Sequence, residues 1–361
     1  MKHDELRSCW PQDSQASWTS DKASQILREL SDKLAAVDGL NLQKQNGEAR
    51  LRSIPLPDGD CYLVRKLAYE IGDQLTPIPV WVPTPLEQCE VWPQFQNVGD
   101  WIPSSALTEY PEHCTRHRQP KKRNGYHWHV AEIEHESSGY VHLKVRRVRY
   151  LDFLATTKVL DQPYGNGAET TRKLLEKNFQ PTSRAPFPPA ANLLSVNVVA
   201  ITSDKKMVAL RGGADDPLEQ GIYGIMDSLI DVDRDRIWQP NPIATAFKVC
   251  CNRLGFALRE PIRWTGVGQE IKVGNVSLFG YAQLGMSKAE ILEAFVNRPS
   301  NTENETPQFP NFDESALGAH NKWKPLHKAS LVLALKANGK KITLSKVAWR
   351  KDTPACESQT E

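Results

Sequence analysis

The clearest alternation of apolar and polar positions lies near the middle of the chain. The segment YHWHVAEIEH (126–135) alternates, the polar stretch ESSG follows, and YVHLKVRRVRY (140–150) alternates again. A period of two is that of a half-buried strand, and a short glycine-containing stretch commonly joins two antiparallel strands. The pattern therefore predicts a β-hairpin over residues 126–150.

Longer apolar runs distinguish the C-terminal half. LLSVNVVAIT (193–202) and KKMVALRGG (205–213) predict two strands, with polar residues between them as the turn. Similar runs predict further strands within 260–268 and 275–285. Acidic residues, glycine and irregular spacing predict a long loop over residues 212–242.

Helical spacing of apolar residues predicts helices over 21–39, 243–254, 287–298 and 324–339. Ser287 and Glu290 form a predicted capping box, and Gly255 is a predicted helix stop. Other segments are less regular. We predict helices or loop–helix units over 151–161 and 168–179, and either a helix or a strand over 62–75. We predict an edge strand or an extended segment over 77–85 and a loop over 299–315.

A change of composition marks the predicted domain boundary. The segment PTSRAPFPPAAN (181–192) carries four prolines and one charge, which is typical of a linker. The predicted units are a flexible arm (1–20), an α+β N-terminal domain (21–180), the linker (181–192), a C-terminal α/β domain (193–345) and a tail (346–361). The predicted fold class is thus α/β with an α+β N-terminal region.

Composition narrows the class of protein. The 361 residues are 40% hydrophobic and 24% charged, which is a globular composition rather than a disordered one. The 45 basic and 43 acidic residues give a net charge of +2, so any nucleic-acid binding would need a local basic patch. The sequence has no apolar run of membrane-spanning length and no C-x-x-C pair among its seven cysteines, and we expect no secretory signal. We expect a cytoplasmic protein with reduced cysteines and no membrane partner.

The stretch ATAFKVCCNRLGF (244–256), set between the predicted strands, resembles the helix of a Nudix domain, over roughly residues 190–340. The resemblance implies an α/β/α sandwich around a mixed sheet. In that family the helix carries Arg-Glu, a Glu-Glu pair, and then Gly with an apolar residue; the glutamates hold Mg²⁺ against a diphosphate. Four segments also resemble larger bacterial proteins with a Nudix-like domain behind a separate N-terminal region: YLDFLATTKVLD, NLLSVNVVAITSDKKMVALR, PIATAFKVCCNRLG and WKPLHKASLVLAL.

The residues at the metal-binding positions depart from the family. With Gly255 as anchor, Lys248 replaces the motif Arg, Val249 replaces a Glu, and Asn252 and Arg253 replace the Glu-Glu pair. Mg²⁺ needs hard oxygen ligands, which normally include carboxylates, and a fixed arginine charge repels it. We therefore predict a pseudoenzyme without normal Mg²⁺-dependent hydrolysis.

Two interpretations of the altered helix remain open. Arginine can grip phosphate through a bidentate fork, so the domain would be a sensor of a nucleotide-type ligand or a module that binds a protein partner. Alternatively, Asn252 and Arg253 are only a solvated helix face. The candidate ligand-binding residues are Arg211, Tyr223 (where many family members carry Trp), Lys248, Asn252 and Arg253.

Carboxylates in the predicted loop offer a different route. Asp227 and Asp231 are the candidate catalytic residues of an active hydrolase of nucleoside diphosphate derivatives, and Mg²⁺ is a cofactor only under that hypothesis. The spacing DVDRD opens like a calcium loop, but the required glycine is missing. A solvated acidic loop explains the same residues, and we expect no cofactor and no resident metal.

The hairpin region concentrates histidine and positive charge. Residues 113–142 hold six of the nine histidines. His127 and His129 could supply zinc ligands. Alternatively, the histidines are half-exposed polar residues, some of which pair with glutamates.

Residues 116–149 carry nine Lys or Arg against three Glu. Nucleic acid is therefore a possible partner through Lys121, Lys122, Arg123 and Arg146, unless Lys144 and Arg146 simply pair with Glu132 and Glu134 across the hairpin.

Overall fold

The computed structural model describes residues 80–81, 90–117, 125–136, 139–177, 179–180, 182, 184–185, 189–211, 222–224, 226–230, 239–270, 274–298, 306–317, 322–340 and 342. Four predictions fall outside the described residues: the arm, the helix over 21–39, the segment 62–75 and the tail. The basic turn that contains Lys121, Lys122 and Arg123, and the loop position Asp231, also lie outside them.

The first part of the described chain is built around the predicted hairpin. Its elements are β1 (Val80–Trp81), β2 (Trp92–Asp100), α1 (Tyr110–Arg116), β3 (Tyr126–His135), β4 (Tyr140–Arg149), α2 (Tyr150–Ala155) and α3 (Thr171–Glu176). Strands β3 and β4 pair antiparallel, so the hairpin is confirmed, and β2 adds to the outer edge of β4 in parallel. Alternate residues of β4, including Leu143 and Val145, are fully buried, as the period of two requires.

The second part contains the larger sheet. Its elements are β5 (Leu194–Ile201), β6 (Met207–Arg211), β7 (Ile222–Gly224), β8 (Met226–Leu229), α4 (Pro242–Val249), β9 (Arg263–Gln269), β10 (Val276–Gln283), α5 (Lys288–Val296), β11 (Thr306–Gln308), β12 (Lys322–Trp323) and α6 (Pro325–Ala337). Among the described residues the strand order is β1-β9-β10-β5-β6-β7-β12, with β8 also paired to β5 and β11 to β6. The β10–β5 and β12–β7 pairs are parallel and the others antiparallel, so the sheet is mixed.

Most predicted elements of this half are confirmed, and two predicted loops are partly wrong. The strands at 193–202, 205–213, 260–268 and 275–285 and the helices at 243–254, 287–298 and 324–339 are present. The predicted loop 212–242 contains β7 and β8, and the predicted loop 299–315 contains β11. These strands have only three or four residues, so their own sequence shows no alternation; their partners on β5 and β6 define them.

The central strand β5 shows how the layers form. Val196 and Val198 lie in the apolar cluster that includes α4 and α5 residues, whereas Val199 and Ile201 lie in the cluster with α6. Because successive side chains of a strand point to opposite faces, both faces of β5 are covered by helices. The result is a mixed α/β sandwich with helices on both sides of the sheet, which confirms the predicted fold class.

The predicted linker makes specific contacts with both sequence halves. The Asn192 side chain accepts a hydrogen bond from the Val130 backbone N–H at 2.9 Å and donates to its carbonyl at 3.0 Å. The Ala191 N–H donates to Thr156 Oγ1 at 3.0 Å. Trp128 of the hairpin and Val196 of the large sheet share one apolar cluster. Whether the predicted units fold independently stays a prediction.

Within the described ranges, every helix is too short or too polar to cross a membrane.

Candidate functional site

The helix with the altered motif has a well-defined start. The Asn241 side chain accepts a hydrogen bond from the Ala244 N–H at 2.9 Å, and Pro242 occupies the first turn, where its missing N–H costs nothing. After Val249 the chain continues as a π-helical turn over Cys250–Leu254, which the sequence did not predict. A π-helical turn is wider than an α-helical one, and such turns are frequent at functional sites.

Gly255 ends this helix in the predicted place. Its φ is +80°, in the left-handed region that favours glycine. A Cβ at this position would lie 2.3 Å from the Ala294 carbonyl oxygen and 2.9 Å from the Arg298 Cβ. The glycine therefore serves two purposes: it reverses the backbone and lets the π-helical turn cross α5 closely.

The four motif positions have different surroundings. Val249, at the position where the Nudix resemblance implies a glutamate, is 6% exposed and lies in the main apolar cluster. Lys248 and Asn252 are exposed, and Arg253 is half-buried; all three interact with other groups of the protein. The helix thus presents a basic and amide-bearing side, whereas its one apolar substitution faces inward.

Burial also determines the state of the first cysteine of the helix. Cys250 is fully buried, and burial raises the pKa of its thiol to about 12. The thiolate is the reactive form of cysteine. Cys250 is therefore an inert core residue rather than a nucleophile.

Three of the remaining candidate residues lie on strands of the large sheet. Arg211 on β6 is the register partner of Tyr223 on β7, so the structure brings these two backbone positions together. Asp227 on β8 pairs with Asn197 on β5, whose buried amide nitrogen donates to Ser277 Oγ. Strand β8 packs against α4. The roles of all these residues, and of Asp231, stay predictions.

The histidines differ from the predicted half-exposed set. His142 does pair with a glutamate, since its Nε2 lies 2.8 Å from Glu136 Oε1. His113 and His129 are instead buried, and the His113 ring bonds the Ala155 carbonyl oxygen at 2.8 Å. The prediction was wrong for these two because the residues that surround them come from elsewhere in the chain: His113 lies against Ala155 and Tyr164, and His129 lies against Trp101 and Asn192. No three His, Cys, Asp or Glu side chains of the described residues gather as metal ligands.

Most described cations of the hairpin are paired. Lys144 lies 2.8 Å from Glu132, as the cross-hairpin alternative predicted, Arg147 lies 2.7 Å from Asp100, and Arg149 binds the buried Asp152. Arg146 differs from this group. It is half-buried, and its Nε is buried without a hydrogen-bond partner rather than bonded to a glutamate.

Burial of His129 leads to a prediction about acid stability. Burial, and secondarily the charge of Arg146, lowers the pKa of His129 from 6.5 to about 3. Below pH 6.5 the unfolded chain binds a proton at this position that the folded chain does not bind, so the free energy of unfolding falls by about 1.4 kcal/mol per pH unit until the folded-state pKa is reached.

The His129→Gln variant should therefore lose part of this pH dependence. We expect its free energy of unfolding, measured by urea denaturation between pH 7 and pH 4.5, to fall less steeply than that of the wild type, by about 1 kcal/mol per pH unit. His142→Gln, at an exposed position of the same hairpin, is the control. Parallel curves for the wild type and His129→Gln would contradict the buried, neutral state of His129.

Comparisons with known proteins give similarity to solved structures alone. No family model and no curated protein matches the chain. The chain is similar to a structure described as an ADP compounds hydrolase, with 16% identity, 42% of this chain and 76% of that chain covered, and a TM-score of 0.30. It is also similar to a NUDIX hydrolase from Nitrosomonas europaea, with 12% identity, 45% and 99% coverage, and a TM-score of 0.27.

Proposed function

We propose that residues 193–345 form a Nudix-like domain that binds a nucleotide-type ligand without normal Mg²⁺-dependent hydrolysis. The observation that carries the proposal is the environment of Val249. At the position where the resemblance places a metal-binding glutamate, the chain has an aliphatic side chain that is 6% exposed and packed in the core. An aliphatic side chain offers no ligand to a metal.

The positive side of the helix supports a direct contact with phosphate. Lys248 and Asn252 are four residues apart and Arg253 follows, so on the α-to-π-helical segment they lie near one another. The Arg253 side chain is half-buried and interacts with other groups of the protein, so its position is restrained. Guanidinium and ammonium groups bind phosphate by charge-assisted hydrogen bonds that need no metal.

Thermal unfolding with ADP, GDP and a nucleoside diphosphate sugar tests ligand binding. Because a ligand that binds only the folded state stabilises it, we expect the Tm to rise by roughly 2 °C or more at ten times the Kd. Arg253→Ala should abolish the rise, whereas Arg259→Ala, an exposed arginine just beyond the helix, should not. A chain that none of the three nucleotides stabilises would contradict the sensor function.

Incubation of the protein with the same nucleotides and Mg²⁺ or Mn²⁺ tests whether it hydrolyses them or only binds them. We expect no turnover above the uncatalysed rate, measured by chromatography of the products. Turnover that disappears in Asp227→Asn or Asp231→Asn would overturn the pseudoenzyme proposal and favour an active hydrolase of nucleoside diphosphate derivatives.

A further inference from the structure

A second candidate site lies on the outer face of the sheet formed by β2, β4 and β3. Phe95, Leu143 and Ile133, one residue from each strand, pack into the main apolar cluster. Because successive side chains of a strand point to opposite faces, the neighbouring positions point away from that core. A groove of ≈ 670 Å³ lies on this outer face, and all its lining residues fall between positions 94 and 144. The groove is therefore separate from the motif helix.

The strand register arranges the outward side chains in rows across the sheet. Neighbouring strands lie about 4.8 Å apart, and alternate residues of one strand lie about 6.6 Å apart. Amide, imidazole, ammonium and carboxylate groups therefore form a regular array along the groove. The first row is Gln94, His142 and Glu134, and the second row is Gln96, Lys144 and Glu132.

Aromatic rings stand at one end of the same face. Tyr140 lines the groove and is 42% exposed, and its register partner Trp92 is 51% exposed. The Tyr140 ring lies 6.4 Å from the His142 ring, at an interplanar angle of 30°. The two rings therefore form a nearly continuous flat surface. Such a surface offers an apolar face to C–H groups and polar atoms at its rim.

The charges of the groove are largely compensated within the protein. Each of its three glutamates has a partner: Lys144 lies 2.8 Å from Glu132, Arg184 lies 2.5 Å from Glu134, and His142 lies 2.8 Å from Glu136. A polyanion such as a nucleic acid would meet three carboxylates here. A polycation would have to compete with the cations already bound. The balance of charge therefore favours a ligand without net charge.

Hydrogen-bonding capacity narrows the chemistry of that ligand. The glutamine amides both donate and accept, the carboxylates accept, and the Lys144 ammonium donates. A hydroxyl group donates one hydrogen bond and accepts two, so a molecule with many hydroxyls can bond to every member of this array. A sugar ring combines such hydroxyls at its rim with a C–H face that fits an exposed aromatic ring.

We propose that the outer face of β2, β4 and β3 binds a neutral oligosaccharide. Tyr140 stacks on one sugar ring, and Gln94, Gln96 and His142 bind its hydroxyls or those of the next sugar along the groove. The site is independent of nucleotide binding at the motif helix, so the oligosaccharide would be a second ligand of the protein.

Native affinity electrophoresis of the full chain tests this proposal with soluble polysaccharides as probes. The gels contain hydroxyethylcellulose, amylopectin, galactomannan or xyloglucan, which are all neutral and differ in their sugars and linkages. We expect at least one of them to retard the protein relative to serum albumin. Polygalacturonate, whose sugars carry carboxylates, should retard it less, because the groove exposes three glutamates.

Two tyrosines of the same hairpin provide a matched pair of variants. Tyr140→Ala should raise the Kd for the retarding polysaccharide about 10-fold, because the stacking contact is lost, whereas Tyr140→Phe keeps the ring and most of the affinity. Tyr126→Ala removes a tyrosine that is 52% exposed on β3 but does not line the groove, and it should leave the Kd unchanged. Circular dichroism checks that all three variants are folded.

Three results would overturn the proposal. The first is that no neutral polysaccharide retards the wild type. The second is an equal Kd for the wild type and folded Tyr140→Ala, or an equal loss in Tyr126→Ala. The third is stronger retardation by polygalacturonate than by every neutral polysaccharide, which would mean that charge is recognised instead. None of these results bears on nucleotide binding at Arg253, so the two proposals fail separately.

Discussion

Val249→Glu should lower the free energy of unfolding by about 3 kcal/mol or more, because it places a carboxylate in the apolar core. Val249 is 6% exposed and shares its cluster with Cys250, Leu254 and Ile291. The substitution introduces the glutamate that the Nudix resemblance implies at this position, where the described neighbours of the cluster are apolar. Urea denaturation followed by circular dichroism measures the change at pH 7.

Two companion variants separate the reasons for this loss. Val249→Gln has nearly the same size as the glutamate without its charge, so it should destabilise less at pH 7. Asn252→Glu adds the same carboxylate at an exposed position of the same helix, and its effect should stay within about 0.5 kcal/mol.

A Val249→Glu protein as stable as Asn252→Glu would contradict the buried state of this position. It would also remove the main support for the pseudoenzyme proposal, since position 249 could then direct a side chain to solvent or to a metal. The test therefore addresses the function through a stability measurement that needs no knowledge of the ligand.

Gly255→Ala should also cost about 3 kcal/mol or more, because two separate penalties act on one methyl group. The first is the left-handed backbone at φ +80°, which costs an L-residue roughly 1–2 kcal/mol. The second is the approach to α5: the new Cβ would lie 2.3 Å from the Ala294 carbonyl oxygen, which is backbone and cannot rotate away. The helix crossing must open to admit it.

Gly339→Ala isolates the first penalty. Gly339 follows α6 with a φ of +66°, and a Cβ there would meet nothing within 4 Å. We expect the free energy of unfolding of this control to fall by only about 1–2 kcal/mol, the cost of the left-handed backbone for an L-residue. Equal losses for the two variants would contradict the tight crossing of the π-helical turn and α5. Thermal and urea unfolding both measure the difference.

The elements that could be predicted from sequence are those whose periodicity is contained in their own residues. The hairpin of β3 and β4, the capping box of α5 and the stop at Gly255 depend on neighbours a few positions away. Strands β7, β8 and β11 are short and exist through pairing with β5 and β6, which come from elsewhere in the chain. The pattern of apolar and polar residues within a short segment does not show which distant strand it pairs with.

The candidate site divides in the same way. The sequence by itself determined that the helix carries Val249, Asn252 and Arg253, and no carboxylate, at the positions where the Nudix resemblance implies glutamates, because residue type needs no coordinates. Only the tertiary structure decided that Val249 is buried and that Gln94, Glu134 and Tyr140 line one groove. Burial and the meeting of distant side chains arise from packing between elements, and the order of residues along one element does not contain that information.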